Sequence, residues 1–196
     1  MSHALVGRIT GIGFGADEAG RHRIVAGEWA QSPIGPFVDI MWATPDGART
    51  LVVADEAIGR FITAVYAFDE VVVDPALSIG GGPADQSIRG AGLVIDLELG
   101  RPIPFPPRPD WVTERIEAPI ARRLLGVETF GVSPSGVEEL YRAKRLRRVQ
   151  RATATLDGAD LGALAPPQPA VGFGFSEPPP FPSVTDVSPR LHDPSG

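Results

Sequence analysis

The chain has 196 residues, 43% of them hydrophobic and 21% charged, with a formal net charge of −6. That is enough chain for one domain with a full core, and its acidic balance disfavours non-specific attraction to nucleic acid or anionic lipid. The sequence holds no cysteine, which excludes disulfides, thiolate metal sites and a cysteine nucleophile.

Met1 to Gly15 lacks a basic stretch followed by a long apolar run, and nothing in the chain approaches the roughly 20 apolar residues of a spanning helix. The expectation is a cytoplasmic protein with no membrane partner. Lys144 is the only lysine, so amine-based covalent catalysis has a single candidate.

Leu5 to Phe14 is apolar and interrupted by glycines, a first strand, and Arg23 to Trp29 is a second. Ser32-Pro33-Ile34-Gly35-Pro36 makes a rigid corner, because each proline fixes φ and removes a donor. Phe37 to Ala43 sets Val38, Ile40 and Trp42 against Asp39 and Met41, the period of a half-buried strand. Pro45-Asp46-Gly47 is a hairpin signal, and Arg49 to Val53 pairs back.

Asp55 can cap a helix, and Ile58, Phe61, Ile62, Val65 and Tyr66 follow on one helical face, predicting a helix that ends near Phe68-Asp69. Glu70 to Leu77 returns to strand, Gly80 to Pro83 is loop, and Leu93 to Leu99 alternates cleanly. Pro102 to Pro109 is a connector. A second helix is expected from Asp110 to about Leu124, with Pro119 marking a kink or a start. Val127 to Val132 and Val137 to Leu156 pattern as strands, although Glu138 to Arg148 also suits a helix. Asp157-Gly158 is a turn. From Ala165 onward prolines crowd the chain, and residues 165–196 are expected to form an extended, Pro-rich tail to a single domain over 1–164, with Val171 to Phe175 adding an edge segment.

This order of elements predicts a mostly β (α+β) fold: an antiparallel β-barrel or half-barrel with two packed helices and an extended Pro-rich C-terminal segment.

Few motifs carry chemistry. Gly11-Ile12-Gly13-Phe14-Gly15 lacks the following helix that a phosphate loop requires, and reads as a bent strand. His3, His22 and His192 form no metal-ligand spacing, so no metal and no cofactor are expected. Arg142, Lys144, Arg145, Arg147, Arg148 and Arg151 form the one basic run. It is the basis of a minor nucleic-acid alternative; the expectation is no nucleic acid, because the net charge is negative and stacking aromatics are sparse.

Trp29, Trp42, Asp39, Glu28 and Glu98 all fall on predicted strands. In a closed sheet, acids facing inward among aromatics line a pocket and have raised pKa values suited to acid–base work. Alternatively these acids are the solvent-facing halves of alternating strands. Asp39 and Trp42 must point to opposite faces of one strand, so at most one of them lines a given pocket.

Ser32-Pro33-Ile34-Gly35-Pro36-Phe37-Val38-Asp39, followed by a strand, a hairpin and a helix ending Ala64-Val65-Tyr66-Ala67-Phe68-Asp69-Glu70, resembles the front half of the acetoacetate decarboxylase-like family. The resemblance implies a cone-shaped antiparallel barrel around a small acidic substrate, with Asp39 as the barrel acid. The family's Schiff-base lysine would fall near Phe68 to Val71, where this chain has Asp69 and Glu70. An acid cannot form an imine, so the resemblance does not extend to the covalent mechanism. The whole chain is also similar to proteins of high-G+C actinobacteria, which implies no chemistry.

The resulting expectation is a small-organic-molecule-binding β-barrel: a binding protein, or a non-covalent lyase, cyclase or isomerase acting on a hydrophobic acid or ketone. Asp39 is its acid–base residue, and Trp29, Trp42, Glu28 and Glu98 are its ligand-binding residues. The alternative is an interaction module, or a homo-oligomer completed by edge addition of the Pro-rich tail.

Overall fold

The computed structural model describes residues 2–104, 130–132, 138–140, 143–169, 172–173, 178–188 and 190–192. In chain order its elements are β1 (Ser2–Ala4), β2 (Val6–Phe14), β3 (His22–Gln31), β4 (Phe37–Ala43), β5 (Arg49–Val53), α1 (Glu56–Thr63), β6 (Glu70–Val73), β7 (Ser78–Gly80), β8 (Asp85–Gly90) and β9 (Leu93–Leu99). These are followed by β10 (Ile103–Pro104), β11 (Phe130–Val132), β12 (Glu138–Leu140), β13 (Ala143–Leu156), β14 (Ala159–Asp160), β15 (Leu164–Ala165), β16 (Ser183–Val187) and β17 (Arg190–His192). The fold is mostly β, as expected. The second predicted helix, over 110–124, lies outside the described residues.

One large sheet carries the fold, in the order β6-β5-β4-β3-β2-β16-β13-β9-β8-β7. The pairs along this path are antiparallel except β5–β6, which α1 joins as a parallel crossover. β13 is long enough to hold several partners. It pairs β9 and β10 along one edge and β16 and β14 along the other, and its register shifts at 143/145 and 149/151. The expected ambiguity at Glu138 to Arg148 therefore resolves as strand wherever it is described. A separate sheet has the order β1-β17-β12-β11.

The sheet curls into an open half-barrel, and one hydrogen bond makes the curl plain. β2 and β8 stand four strand positions apart, roughly 19 Å on a flat sheet. Yet Thr10 Oγ1 donates to Gln86 Oε1 at 2.6 Å, with both residues buried. The two ends of the sheet must face each other across a shared core. That core gathers Ile12, Ile24, Ile40, Val52, Ile88, Leu93, Ile95 and Val184 from seven strands.

Local signals explain the corners. Leu156 pairs Ala159 across Asp157-Gly158, where φ is +50° and +84°, the positive values that a two-residue hairpin of this twist requires. Asp55 Oδ1 accepts from the backbone N–H of Ala57 (2.8 Å) and Ile58 (3.1 Å), as expected of a cap. Asp55→Ala is expected to lower Tm by about 3 °C in a thermal melt, the usual loss for an N-cap in a chain of this size. The helix stops at Thr63 rather than near Phe68-Asp69. Phe68 instead reaches the ring of Phe173, at a centroid separation of 5.5 Å.

The proline-rich stretch differs most from expectation. Ser183–Val187 is an inner strand, hydrogen-bonded to β2 on one side and β13 on the other. Described residues before it lie on the outer face of the sheet over β2 and β4. Phe173 packs on Ala43, and Pro178 and Pro166 lie against Gly11 and Gly13, positions where a Cβ would collide with them. Arg21 and Arg23 donate to the carbonyls of Gln168 and Pro169. A stripe of glycine on β2 gives these prolines a smooth bed. No helix among the described residues is long and apolar enough to cross a membrane.

Candidate functional site

Around β3, β4 and β5 the sheet is covered on both faces, and strand alternation distributes the candidate residues there between them. On β4, Ile40 and Trp42 join the inner core, while Phe37, Asp39, Met41 and Ala43 face the other way. That outer layer is closed by α1, whose Ile58 and Ile62 pack with Phe37, Leu51 and Val53. Asp39 sits in it, opposite Gly27 on β3 and Val53 on β5, and is only 2% exposed. Asp39 is therefore not a solvent-facing residue of an alternating strand.

Trp29 is the partner of Asp39. Its indole Nε1–H donates to Asp39 Oδ1 at 2.8 Å. Two glycines make this possible. The indole leans back along β3 over Gly27, with its benzo edge against Gly7 of β2. A Cβ on Gly7 would lie 2.7 Å from Trp29 Cε3. Phe37 stacks obliquely on Trp29 and meets Phe61 edge-on, at centroid separations of 6.1 and 6.0 Å. Burial in this aromatic layer pushes the Asp39 carboxyl up to about 7, with the indole hydrogen bond opposing the shift.

The remaining predicted residues lie elsewhere. Trp42 is on the inner face, where its Nε1–H donates to His22 Nδ1 at 3.1 Å. An acceptor Nδ1 belongs to a neutral imidazole, in keeping with burial pulling His22 below its ordinary value, against the pull of Asp46. Glu28 is also on the inner face and lies 3.5 Å from Arg8. Glu98 is exposed on β9 beside Arg151, at 3.4 Å. The five residues thus form no single pocket: Trp29 and Asp39 are together, and Trp42, Glu28 and Glu98 are apart from them.

At the position where the resemblance would put a lysine, Asp69 takes two hydrogen bonds from the Arg49 side chain and one from its backbone, which hold its carboxyl below the ordinary value. The single lysine, Lys144, is exposed on β13. The basic run is likewise divided. Arg145 and Arg147 turn to Asp186, Arg148 lies 4.2 Å over the Phe181 ring, and Arg151 pairs with Glu98. Among the described residues no group of three or more His, Cys, Asp or Glu side chains could hold a metal ion.

Sequence reasoning did not reach Gly7 and Gly27 as the floor beneath Trp29, nor Arg8 and Asp186 as the neighbours of Arg147 from the basic run. An isolated glycine inside a strand was the available signal for the first pair. Comparison of the chain with family models, curated proteins and solved structures found no match, which leaves the decarboxylase-like resemblance resting on residues 32–70 alone.

Proposed function

We propose that the protein binds a small hydrophobic acid or ketone against the Trp29–Asp39 pair, with Asp39 exchanging a proton with it. The observation that carries this reading is a carboxyl 2% exposed in an aromatic layer, with an indole N–H as its hydrogen-bond donor. Its pKa of about 7 keeps comparable amounts of acid and base at neutral pH, the condition that favours general acid–base transfer. Trp29 holds Oδ1, leaving Oδ2 to take or give the proton. Trp29, Phe37 and Phe61 supply the apolar surface that a hydrophobic substrate prefers. A non-covalent lyase, cyclase or isomerase reaction fits this arrangement, since among the described residues no amine stands beside Asp39 to form an imine, the one lysine being on β13.

The test is thermal unfolding at pH 7 against small organic acids, ketones and polyketide-like aromatics, on wild type and Asp39→Asn in parallel. The expected result is a compound that raises the wild-type Tm by about 5–10 °C at about 100 times its Kd, and does not raise that of the variant. Each protein is compared with its own unliganded melt, so the variant's altered stability cancels. A shift of equal size in both proteins, or no shift with any compound, would overturn the proposal.

A further inference from the structure

The inner face of the half-barrel ends in charge. Register places Arg145, Asp186, Arg8 and Glu28 in one row across β13, β16, β2 and β3. The next row is Arg147, Val184, Thr10 and Ala26, of which Val184 and Ala26 belong to the apolar core. Arg147 therefore stands at the step between the charged rim and the core.

Three guanidinium groups converge on Asp186: Arg8 Nε lies 3.4 Å from Oδ1, and Arg147 Nη1 and Arg145 Nη1 lie 3.6 and 3.8 Å from Oδ2. Glu28 adds the second carboxylate of the row, through Arg8. Among the described residues of this cluster, three cations against two anions leave a formal charge of +1.

Arg147 is the unsatisfied member. It is 7% exposed, yet among the described residues neither its Nε–H nor its Nη1–H has a hydrogen-bond acceptor. Asp186 hydrogen-bonds Arg8 and is only electrostatically near Arg147. A buried guanidinium has five N–H donors and is stable in the fold when they are met. The other buried hydroxyls without partners, Ser183 and Thr185, alternate to the opposite face of β16 from Val184 and Asp186 and cannot serve it.

We infer that this rim is a binding site for a small oxyanion, a carboxylate or a phosphate group, with Arg147 as its principal donor and Arg8 and Arg145 adding charge. The anion accepts from the Arg147 donors that the described residues leave open and offsets their surplus positive charge. Asp186 and Glu28 hold the arginines in place and limit the charge the site accepts, so a monoanionic group is favoured over a highly charged one. This site is on the opposite face of the sheet from Trp29 and Asp39 and does not depend on the reading given for them.

The experiment is isothermal titration of the intact chain with sodium phosphate and, separately, sodium acetate, at fixed ionic strength, on wild type, Arg147→Met and Arg145→Gln. Arg145 is half exposed, at 51%, so its variant should keep the fold. The wild type is expected to bind one or both anions saturably, and the two arms tell a phosphate preference from a carboxylate one. Arg147→Met should weaken binding by about tenfold or more, as loss of charge-assisted donors does, and Arg145→Gln by about threefold. Asp39→Asn should bind the anion as wild type does, which separates this site from the one above. Absence of saturable binding of either anion by wild type, or wild-type affinity in Arg147→Met, would overturn the inference. If Arg147→Met does not fold, unchanged affinity in Arg145→Gln would overturn it.

Discussion

Asp39→Asn is expected to match wild type in stability at pH 4 and to exceed it by about 4 kcal/mol above pH 7. The Asp39 carboxyl has an ordinary value of 3.8 and is pushed up to about 7 in the fold by burial. Between those values the unfolded chain has released the proton and the folded chain still holds it. Folded-state stability from this group is thus fully present below about pH 4 and is lost as pH rises through about 7. Three pH units at ~1.4 kcal/mol each give the ~4 kcal/mol, a large part of a domain's total stability. Asparagine stays neutral throughout, and its carbonyl oxygen can still accept the Trp29 N–H. Urea unfolding of both proteins at pH 4, 5, 6, 7 and 8 reads the difference directly. Asp46, Asp69 and Asp74 titrate in the opposite sense: hydrogen bonds hold their carboxyls below the ordinary value, so their contributions are lost as pH falls below about 4. They are common to both proteins and cancel. Parallel stability curves for the two proteins would show that Asp39 ionises freely in the fold.

Much of the fold was legible where a strand has one wet face. Leu93, Ile95, Leu97 and Leu99 are buried and Val94, Asp96 and Glu98 exposed, as their alternation predicts. The Asp55 cap and the turns at Asp46-Gly47 and Asp157-Gly158 also follow from local chemistry. β16 did not announce itself. Its core contacts are non-local, to β2 and β13, and the prolines before it suggested a solvated tail, although Pro166 and Pro178 are bedded on Gly13 and Gly11, near the other end of the chain. β8 was missed because Asp85 to Gly90 offers only two buried side chains, Gln86 and Ile88.

The site was legible in part for a related reason. Position 39 alternates with Ile40 and Trp42, which marks it as facing away from the main core, and on an ordinary strand that means water. Here a second apolar layer under α1 covers that face, so the acid is buried on the side where sequence periodicity places solvent. Periodicity assigns a residue to a face; what covers the face is decided by an element further along the chain. The pairing of Asp39 with Trp29 follows from strand register, which a hairpin corner as irregular as Ser32 to Pro36 does not specify. The Arg147 rim depends on four strands brought together from opposite ends of the sequence: the basic run marks Arg145 and Arg147, but no local pattern marks Arg8, Glu28 and Asp186 as their neighbours.

Gly27→Ala should be among the most damaging single-methyl changes in the chain. Alanine in a strand is ordinarily better than glycine, because it loses less conformational freedom on folding, by about 0.5–1 kcal/mol. At position 27 that preference is outweighed. A Cβ there would lie 2.5 Å from Trp29 Nε1 and closer still to Asp39 Oδ1, between the two atoms of the buried hydrogen bond. Neither neighbour can give easily: the indole is confined by Gly7 below it and by Phe37 beside it. Forcing the pair apart adds overpacking, about 1–3 kcal/mol, to the loss of a buried hydrogen bond, about 1–3 kcal/mol. The net expectation is a loss of roughly 3 kcal/mol in chemical denaturation at pH 7. Gly80→Ala is the matched control, since its Cβ would meet nothing nearer than Ser87 Oγ at 3.7 Å. That variant should unfold within about 1 kcal/mol of wild type. The same substitution in two strands of one sheet then differs only in what stands above it. Equal unfolding midpoints for the two variants would mean that Trp29 does not lie over Gly27, and the Asp39 carboxyl would lose the donor on which its proposed role depends.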